Sequence, residues 1–381
     1  MKLLRIIAEG LPLFKDKLDI NFCAQQRVSE EQKRSLYPLF SHVFLNQCCG
    51  FIGLNASGKT SILKVILLAI DILNNKPINH ISTKEILGDT KKAHLSIYFY
   101  SEFEHEISLL DITITFNNGR GDGLAYSIVS ETLITKKAST ECARQNLFKF
   151  SSSANKTIRQ GNEDFLPDDV SIMIARNKRT HETLTVENLL LYTNMNVLPI
   201  SKSISPEIIT FLDPTIESLY FSEQDQKILI HLKFKGREEI LLNDPKELNN
   251  YLSSGTIKGI NIFTLAKEVM SDGGYLVIDE IENHLNKEIV ATLLRFFMNN
   301  KINKTGATLI FSTHYPELLD IFTRNDSIFI TRNIEGFTAQ NLNDLLKRND
   351  IKKSDAFQSD FLGGTSPEYQ SYINLKRSFQ M

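Results

Sequence analysis

Gly53-Leu54-Asn55-Ala56-Ser57-Gly58-Lys59-Thr60 fits the pattern GxxxxGK[ST] at every fixed position. An apolar run at Cys49–Ile52 precedes it, and a helical pattern extending to about Leu73 follows. That strand–turn–helix context gives the pattern its physical meaning. Glycines let the backbone curl so that successive N–H groups face a phosphate, and the start of the helix adds favourable potential. The Lys59 ammonium is then expected to reach the β- and γ-phosphates of a nucleotide, and the Thr60 hydroxyl to ligate Mg²⁺. Gly53, Asn55, Ala56, Ser57, Gly58 and Ser61 complete the expected phosphate cradle. The helix is apolar on nearly every side (Ile62, Leu63, Val65, Ile66, Leu67, Ile70), which marks it as buried inside a large fold.

Tyr275-Leu276-Val277-Ile278-Asp279-Glu280 reads as a buried strand ending in two carboxylates. Ligands of parallel α/β sheets sit beyond the carboxyl ends of the strands, so both acids are expected beside the phosphates. Asp279 is placed to help hold Mg²⁺. Glu280 is placed to orient or deprotonate an attacking water, a role worth roughly 10²–10⁴-fold in rate. Around this strand the pattern alternates, with helices at Ile260–Met270 and Lys287–Asn299 and a strand at Ala307–Phe311. Such alternation argues for an α/β fold with a doubly wound, mostly parallel sheet.

Other stretches read differently. Leu3–Ile7 and Leu18–Phe22 look like short strands. From His94 to Thr135, β-branched and aromatic residues alternate as in an antiparallel meander, with a turn at Asn117-Asn118-Gly119. Ser139–Asp169 is polar and poorly patterned and reads as a mobile surface stretch, Thr183–Tyr192 reads as helical, and Ile216–Phe234 returns to strands. The expectation is an antiparallel β subdomain and an inserted α/β region between two parts of one sheet.

Composition narrows the class. The chain has 381 residues, 43 Lys plus Arg against 45 Asp plus Glu, and a net charge of −2, so no global excess marks a nucleic-acid binder. Four cysteines in so long a chain make no disulfide framework, and Cys48 and Cys49 read as small buried hydrophobes on opposite faces of a strand. A reducing, cytoplasmic setting is the default expectation. The longest apolar run, Ile62–Leu73, carries Lys64 and Asp71 and falls short of a bilayer span, so no membrane partner is expected.

Three further segments decide the kind of nucleotidase. Leu252-Ser253-Ser254-Gly255-Thr256-Ile257-Lys258 resembles the ABC signature, in the LSSGT form of the RecF, SMC and OLD-like ATPases, with Gly255 24 residues before Asp279. Ile281-Glu282-Asn283-His284-Leu285-Asn286 resembles the D-loop, and Phe311-Ser312-Thr313-His314 resembles the switch that senses the γ-phosphate. The chain thus resembles a P-loop NTPase with an ABC-type ATPase head. The resemblance is greatest to stand-alone OLD-like, abortive-infection ATPases of the AAA-type ATP-binding group. It implies ATP and Mg²⁺ as cofactors, with Lys59, Glu280 and His314 as catalytic residues and Thr60 and Asp279 on the metal. It also implies a head-to-head dimer, or a higher oligomer, in which Ser254 and Gly255 meet the γ-phosphate held by another subunit. The biology it implies is the sensor or regulatory ATPase of an antiphage system that controls a separate toxin or nuclease. Only 67 residues follow His314, too few for the Toprim nuclease of OLD proteins, so an effector is expected on another chain.

The expected organisation is 1–90 and 251–335 as the two parts of the head, 91–250 as the β subdomain and insertion, and 336–381 as a tail. A RecF-like DNA-binding ATPase is the rival reading, with duplex DNA held by Lys136, Lys137, Arg176, Lys178 and Arg179. Arg176–His181 also fits the RNxxxH pattern of HEPN ribonucleases, but its flanks are strand-rich, so a basic solvated loop is expected there. His42, His80, His94, His105 and His231 show no metal-ligand spacing.

Overall fold

The computed structural model describes all residues except 90, 118–124, 140–143, 153, 161–165, 199–203, 225–226, 349, 367–368 and 381. The chain opens with β1 (Lys2–Glu9), β2 (Leu18–Asn21), β3 (Leu36–Phe40), β4 (Val43–Asn46) and β5 (Cys48–Ile52), then α1 (Lys59–Leu73). Next come β6 (Ala93–Ser101), β7 (Glu106–Asn117), β8 (Ala125–Lys137), β9 (Asn155–Gln160), α2 (Met173–Thr180) and β10 (Val186–Asn188). They are followed by α3 (Pro206–Leu212), β11 (Ile216–Gln224), β12 (Lys227–Phe234), β13 (Glu239–Leu242), α4 (Ser254–Asp272) and β14 (Tyr275–Ile278). The last part holds α5 (Lys287–Phe297), β15 (Thr308–Thr313), β16 (Ile328–Asn333), β17 (Phe337–Asn341), α6 (Leu342–Leu345), α7 (Lys353–Gln358) and α8 (Tyr369–Ser378).

Two six-stranded sheets dominate. One runs β10-β14-β15-β5-β16-β17 and is parallel except for β17; the other runs β2-β1-β6-β7-β8-β9 and is antiparallel throughout. Helix α1 lies between them. Its Ile62, Ile66 and Ile70 share one core with Ile6, Ile97 and Ile112 of the antiparallel sheet and with Phe51, Val277, Ile310 and Phe329 of the parallel sheet. This explains why α1 is apolar on nearly every side: apart from Thr60, Ser61 and Lys64 its residues are buried. Cys49 joins that core, while Cys48 points through the sheet into a second core with α4 and α5, as alternation along a strand requires. A small sheet, β11-β12-β13, packs with α3 and the start of α4.

The two large sheets are tied directly. Lys2 on β1 is buried, and its Nζ donates to the carbonyls of Gly273 at 2.7 Å, Thr305 at 2.7 Å and Gly306 at 3.1 Å. The Tyr275 hydroxyl at the start of β14 accepts from the Leu3 N–H at 2.7 Å. Strand membership also crosses the expected segment boundaries: β1 and β2 belong with β6–β9, whereas β10 and β17 belong to the parallel sheet.

Three readings need correction. Thr183–Tyr192 is not helical. Val186–Asn188 forms an edge strand beside β14 and a short 3₁₀ turn follows at Leu190–Tyr192, because the open edge of β14 offers backbone partners that outweigh helical periodicity. Ser139–Asp169 contains β9, whose Arg159 is buried and donates to the carbonyls of Val170 at 2.6 Å and Pro167 at 3.0 Å. Arg176–Thr180 lies in α2 and is no solvated loop. Arg176 is buried, 2.8 Å from Glu104 and 3.5 Å from Glu182. Residues 118 and 119 of the expected Asn117-Asn118-Gly119 turn lie outside the described residues. Among the described residues no helix is long and apolar enough to cross a membrane.

Candidate active site

The adjacent parallel strands β14, β15 and β5 end at the same edge of the sheet, and each delivers a loop to it. After β5 the chain turns through Gly53–Gly58 into α1. Gly53 has no room for a side chain: a Cβ there would lie 2.3 Å from Thr331 Oγ1 and 2.5 Å from Ser57 Oγ. Gly58 adopts φ +88°, and a Cβ would sit 2.4 Å from the Phe337 ring. Ala56 is also left-handed, at φ +60°. Ser57 Oγ and Thr331 Oγ1 lie 2.7 Å apart and pin the loop to β16.

Lys59 is buried, and its Nζ donates to the carbonyls of Gly53 at 3.0 Å and Leu54 at 2.9 Å and lies 3.4 Å from His314 Nδ1. Burial lowers the Lys59 pKa, while the charges of Asp279, Glu280 and Glu282 oppose that shift. Thr60 Oγ1 donates to Asp279 Oδ2 at 2.6 Å, and the other Asp279 oxygen accepts from the Ser312 hydroxyl. Ser312 Oγ in turn accepts from the Glu280 N–H at 2.8 Å, fixing Glu280 in a left-handed conformation of φ +49°. His314 Nε2 lies 3.7 Å from Glu280 Oε1. The His314 N–H donates to Glu282 Oε1 at 2.6 Å, and Glu282 Oε2 is buried without a hydrogen-bond partner.

A cleft of about 400 Å³ is lined by Asn55, Ala56, Ser57, Gly58, Lys59, Thr60, Ser61, Glu280, His314 and Phe337. The structure thus gathers the residues expected from the 53–61 loop, β14 and β15. It does not bring Ser254 and Gly255 into that cleft. They start α4, where Ser253 Oγ accepts from the Thr256 N–H at 3.0 Å and a Cβ on Gly255 would lie 2.5 Å from the His284 carbonyl. They border the 281–286 loop instead.

The donor set suits a magnesium-bound nucleotide. A hydroxyl and a carboxylate 2.6 Å apart are the one or two hard oxygens that Mg²⁺ takes from a protein when phosphates and water supply the rest. Close packing of Gly53 on Thr331 and of Gly58 on Phe337 fixes the curl of the loop, and the lysine sits at the helix start. Bound there, Mg²⁺ would neutralise phosphate charge; positioning falls to Lys59, Ser312 and Glu280.

Four contributors were missed in the sequence. Ser312 lies inside the Phe311–His314 segment, where attention to the histidine hid the hydroxyl that holds both Asp279 and Glu280. Glu282 holds the His314 backbone N–H. Thr331 and Phe337 lie beyond any motif, although the run Ile328–Asn333, Gly336, Phe337–Asn341 has the pattern of a hairpin.

Gly58→Ala combines a costly left-handed φ with a ring clash, together about 2–5 kcal/mol. The expected result is at least tenfold weaker binding of a fluorescent ATP analogue, read by equilibrium titration. Unchanged affinity would show that the loop accommodates the methyl group.

A family model described as "AAA domain, putative AbiEii toxin, Type IV TA system" matches residues 49–320. No curated protein matches the chain.

Proposed function

The chain belongs to this AAA-domain family of P-loop ATPases with a toxin–antitoxin and abortive-infection association, and from that premise we propose that it is an ATP-hydrolysing switch of the ABC type. One observation carries the reading: a continuous hydrogen-bonded line from Thr60 through Asp279 and Ser312 to Glu280, with Lys59 and His314 in the same cleft. In the proposed mechanism Lys59 binds the β- and γ-phosphates, and Thr60 and Asp279 hold Mg²⁺. Glu280 takes a proton from the attacking water, and His314 bears on the γ-phosphate. Ser254 and Gly255 lie outside the cleft, which supports a composite site completed by a second copy in a head-to-head dimer. Chemistry of this kind is mostly positioning and charge stabilisation, so a half-built site stays slow.

In this reading residues 1–90 and 251–335 build the head, 91–250 lends it β10, and 336–381 lends it β17. The biological role proposed is an OLD-like regulatory ATPase of an antiphage system that restrains or delivers a separate toxin or nuclease.

The DNA-binding rival loses support from the paired basic residues. Arg176 and Arg179 both engage Glu104, and Lys137 lies 3.0 Å from Glu106. Phosphates would have to compete with those carboxylates. The test is to purify Glu280→Gln protein from its native cells with ATP present. A stoichiometric small protein with little DNA is expected, whereas duplex DNA without a protein partner would turn the conclusion to the rival.

A further inference from the structure

The proposed chemistry gives Asp279 and Glu280 a task and leaves Glu282 without one. Yet Glu282 is 9% exposed, and a carboxylate taken that far out of water needs partners. Its Oε1 accepts the His314 N–H at 2.6 Å, while Oε2 has no hydrogen-bond partner among the described residues. Leaving one oxygen of a buried acid unpaired costs stability, on the order of 1–3 kcal/mol. Lys59 at the start of α1 and Lys258 on α4 both feel its charge. The acid is thus retained at a cost, and its one bond is to the backbone of His314.

That bond extends a set of links between the loops that follow β14 and β15. Ser312 donates its hydroxyl to Asp279, accepts the Glu280 N–H at 2.8 Å, and takes the Ile281 N–H on its carbonyl at 3.0 Å. These links end at Ser312; two residues further on, Glu282 takes over at the His314 N–H. The His314 ring lies beyond, with Nδ1 3.4 Å from Lys59 Nζ and Nε2 3.7 Å from Glu280 Oε1. Both distances are long for hydrogen bonds, so these neighbours do not fix the ring. Its place between an ammonium and a carboxylate follows from where its backbone is held. Glu282 also belongs to the 281–286 loop: its carbonyl accepts the Leu285 N–H at 3.0 Å, and Asn283 Nδ2 donates to the Thr193 carbonyl at 2.9 Å. The same carbonyl takes Lys258 Nζ at 2.8 Å, so loop and α4 share an anchor.

We propose that Glu282 is a positioning residue for hydrolysis: by holding the His314 N–H it sets the imidazole between Lys59 and Glu280, and it links that setting to the 281–286 loop. The proposal rests on the hydrolytic reading above, in which His314 bears on the γ-phosphate.

The test measures kcat and KM for ATP with Mg²⁺ in Glu282→Asp, Glu282→Gln, His314→Ala and the double variant Glu282→Asp/His314→Ala. Aspartate keeps the charge but is one methylene short of the N–H; glutamine loses the charge but keeps an oxygen within reach. The expected kcat is about tenfold or more lower in Glu282→Asp and no more than about threefold lower in Glu282→Gln, with KM little changed in both. The double variant is expected to be no slower than His314→Ala, because without the ring there is nothing left to position. Losses that multiply in the double variant, equal losses in the two Glu282 variants, or the reverse order overturn the proposal, as does an undiminished kcat in Glu282→Asp. Titration of each variant with a fluorescent ATP analogue reports the intact cleft. An undiminished kcat in His314→Ala overturns instead the reading beneath, and the positioning role with it.

Discussion

Lys59→Ala is expected to weaken ATP binding by about 30- to 150-fold, the equivalent of about 2–3 kcal/mol for a charge-assisted contact. Lys59 faces Asp279, Glu280 and Glu282 from the start of α1, with Lys258 also near the two glutamates. Without it, phosphate charge would enter a cleft edged by carboxylates with the nearest positive charge of the loop removed. The ammonium also holds the carbonyls of Gly53 and Leu54, so alanine loosens the loop that forms the cradle. Lys59→Arg separates the two effects: it keeps the charge but is too long for the space, and is expected to recover loop stability more than affinity. Calorimetric titration with ATP and Mg²⁺ reads the result. Near-native affinity in Lys59→Ala would remove the loop from the nucleotide site.

Glu280→Gln is expected to cut hydrolysis by about 10²–10⁴-fold, the range of general-base catalysis, while sparing ATP binding. Glutamine preserves the side-chain shape and leaves the backbone N–H on Ser312 untouched; only basicity is lost. Bound ATP then persists, and the composite-site reading predicts that the dimer accumulates. Single-turnover hydrolysis and light scattering on one preparation check both halves. Retained turnover would shift the base elsewhere. Abolished turnover in an ATP-independent monomer would keep Glu280 catalytic and discard the shared site.

The proximity of Lys59, Thr60, Asp279, Glu280 and His314 was legible because each ends or follows a buried parallel strand, and the strand-end rule sends all such residues to one edge. The burial of α1 was legible from its uniform apolarity. Thr183–Tyr192 was misread because ten residues with helical spacing carry no information about a free strand edge about 90 residues away at β14. Arg176 misled for a related reason. Its basic neighbours suggested solvent, but Glu104 and Glu182, distant or unremarkable in sequence, supply a partly buried counter-charge. Ser312 and Thr331 act through single hydroxyl contacts, which leave no periodic trace.

Strand β10 has a consequence for how the molecule can be divided. It comes from the long insertion but covers the flank of β14, Tyr275–Ile278, the strand that leads directly into Asp279 and Glu280. Excising residues 91–250 to obtain a minimal head would strip that cover and present an apolar strand with unsatisfied N–H and C=O groups to other chains, a template for edge-to-edge aggregation. The insertion is a shutter on the parallel sheet as well as an attachment to it, so the proposed hydrolysis calls for the undivided chain.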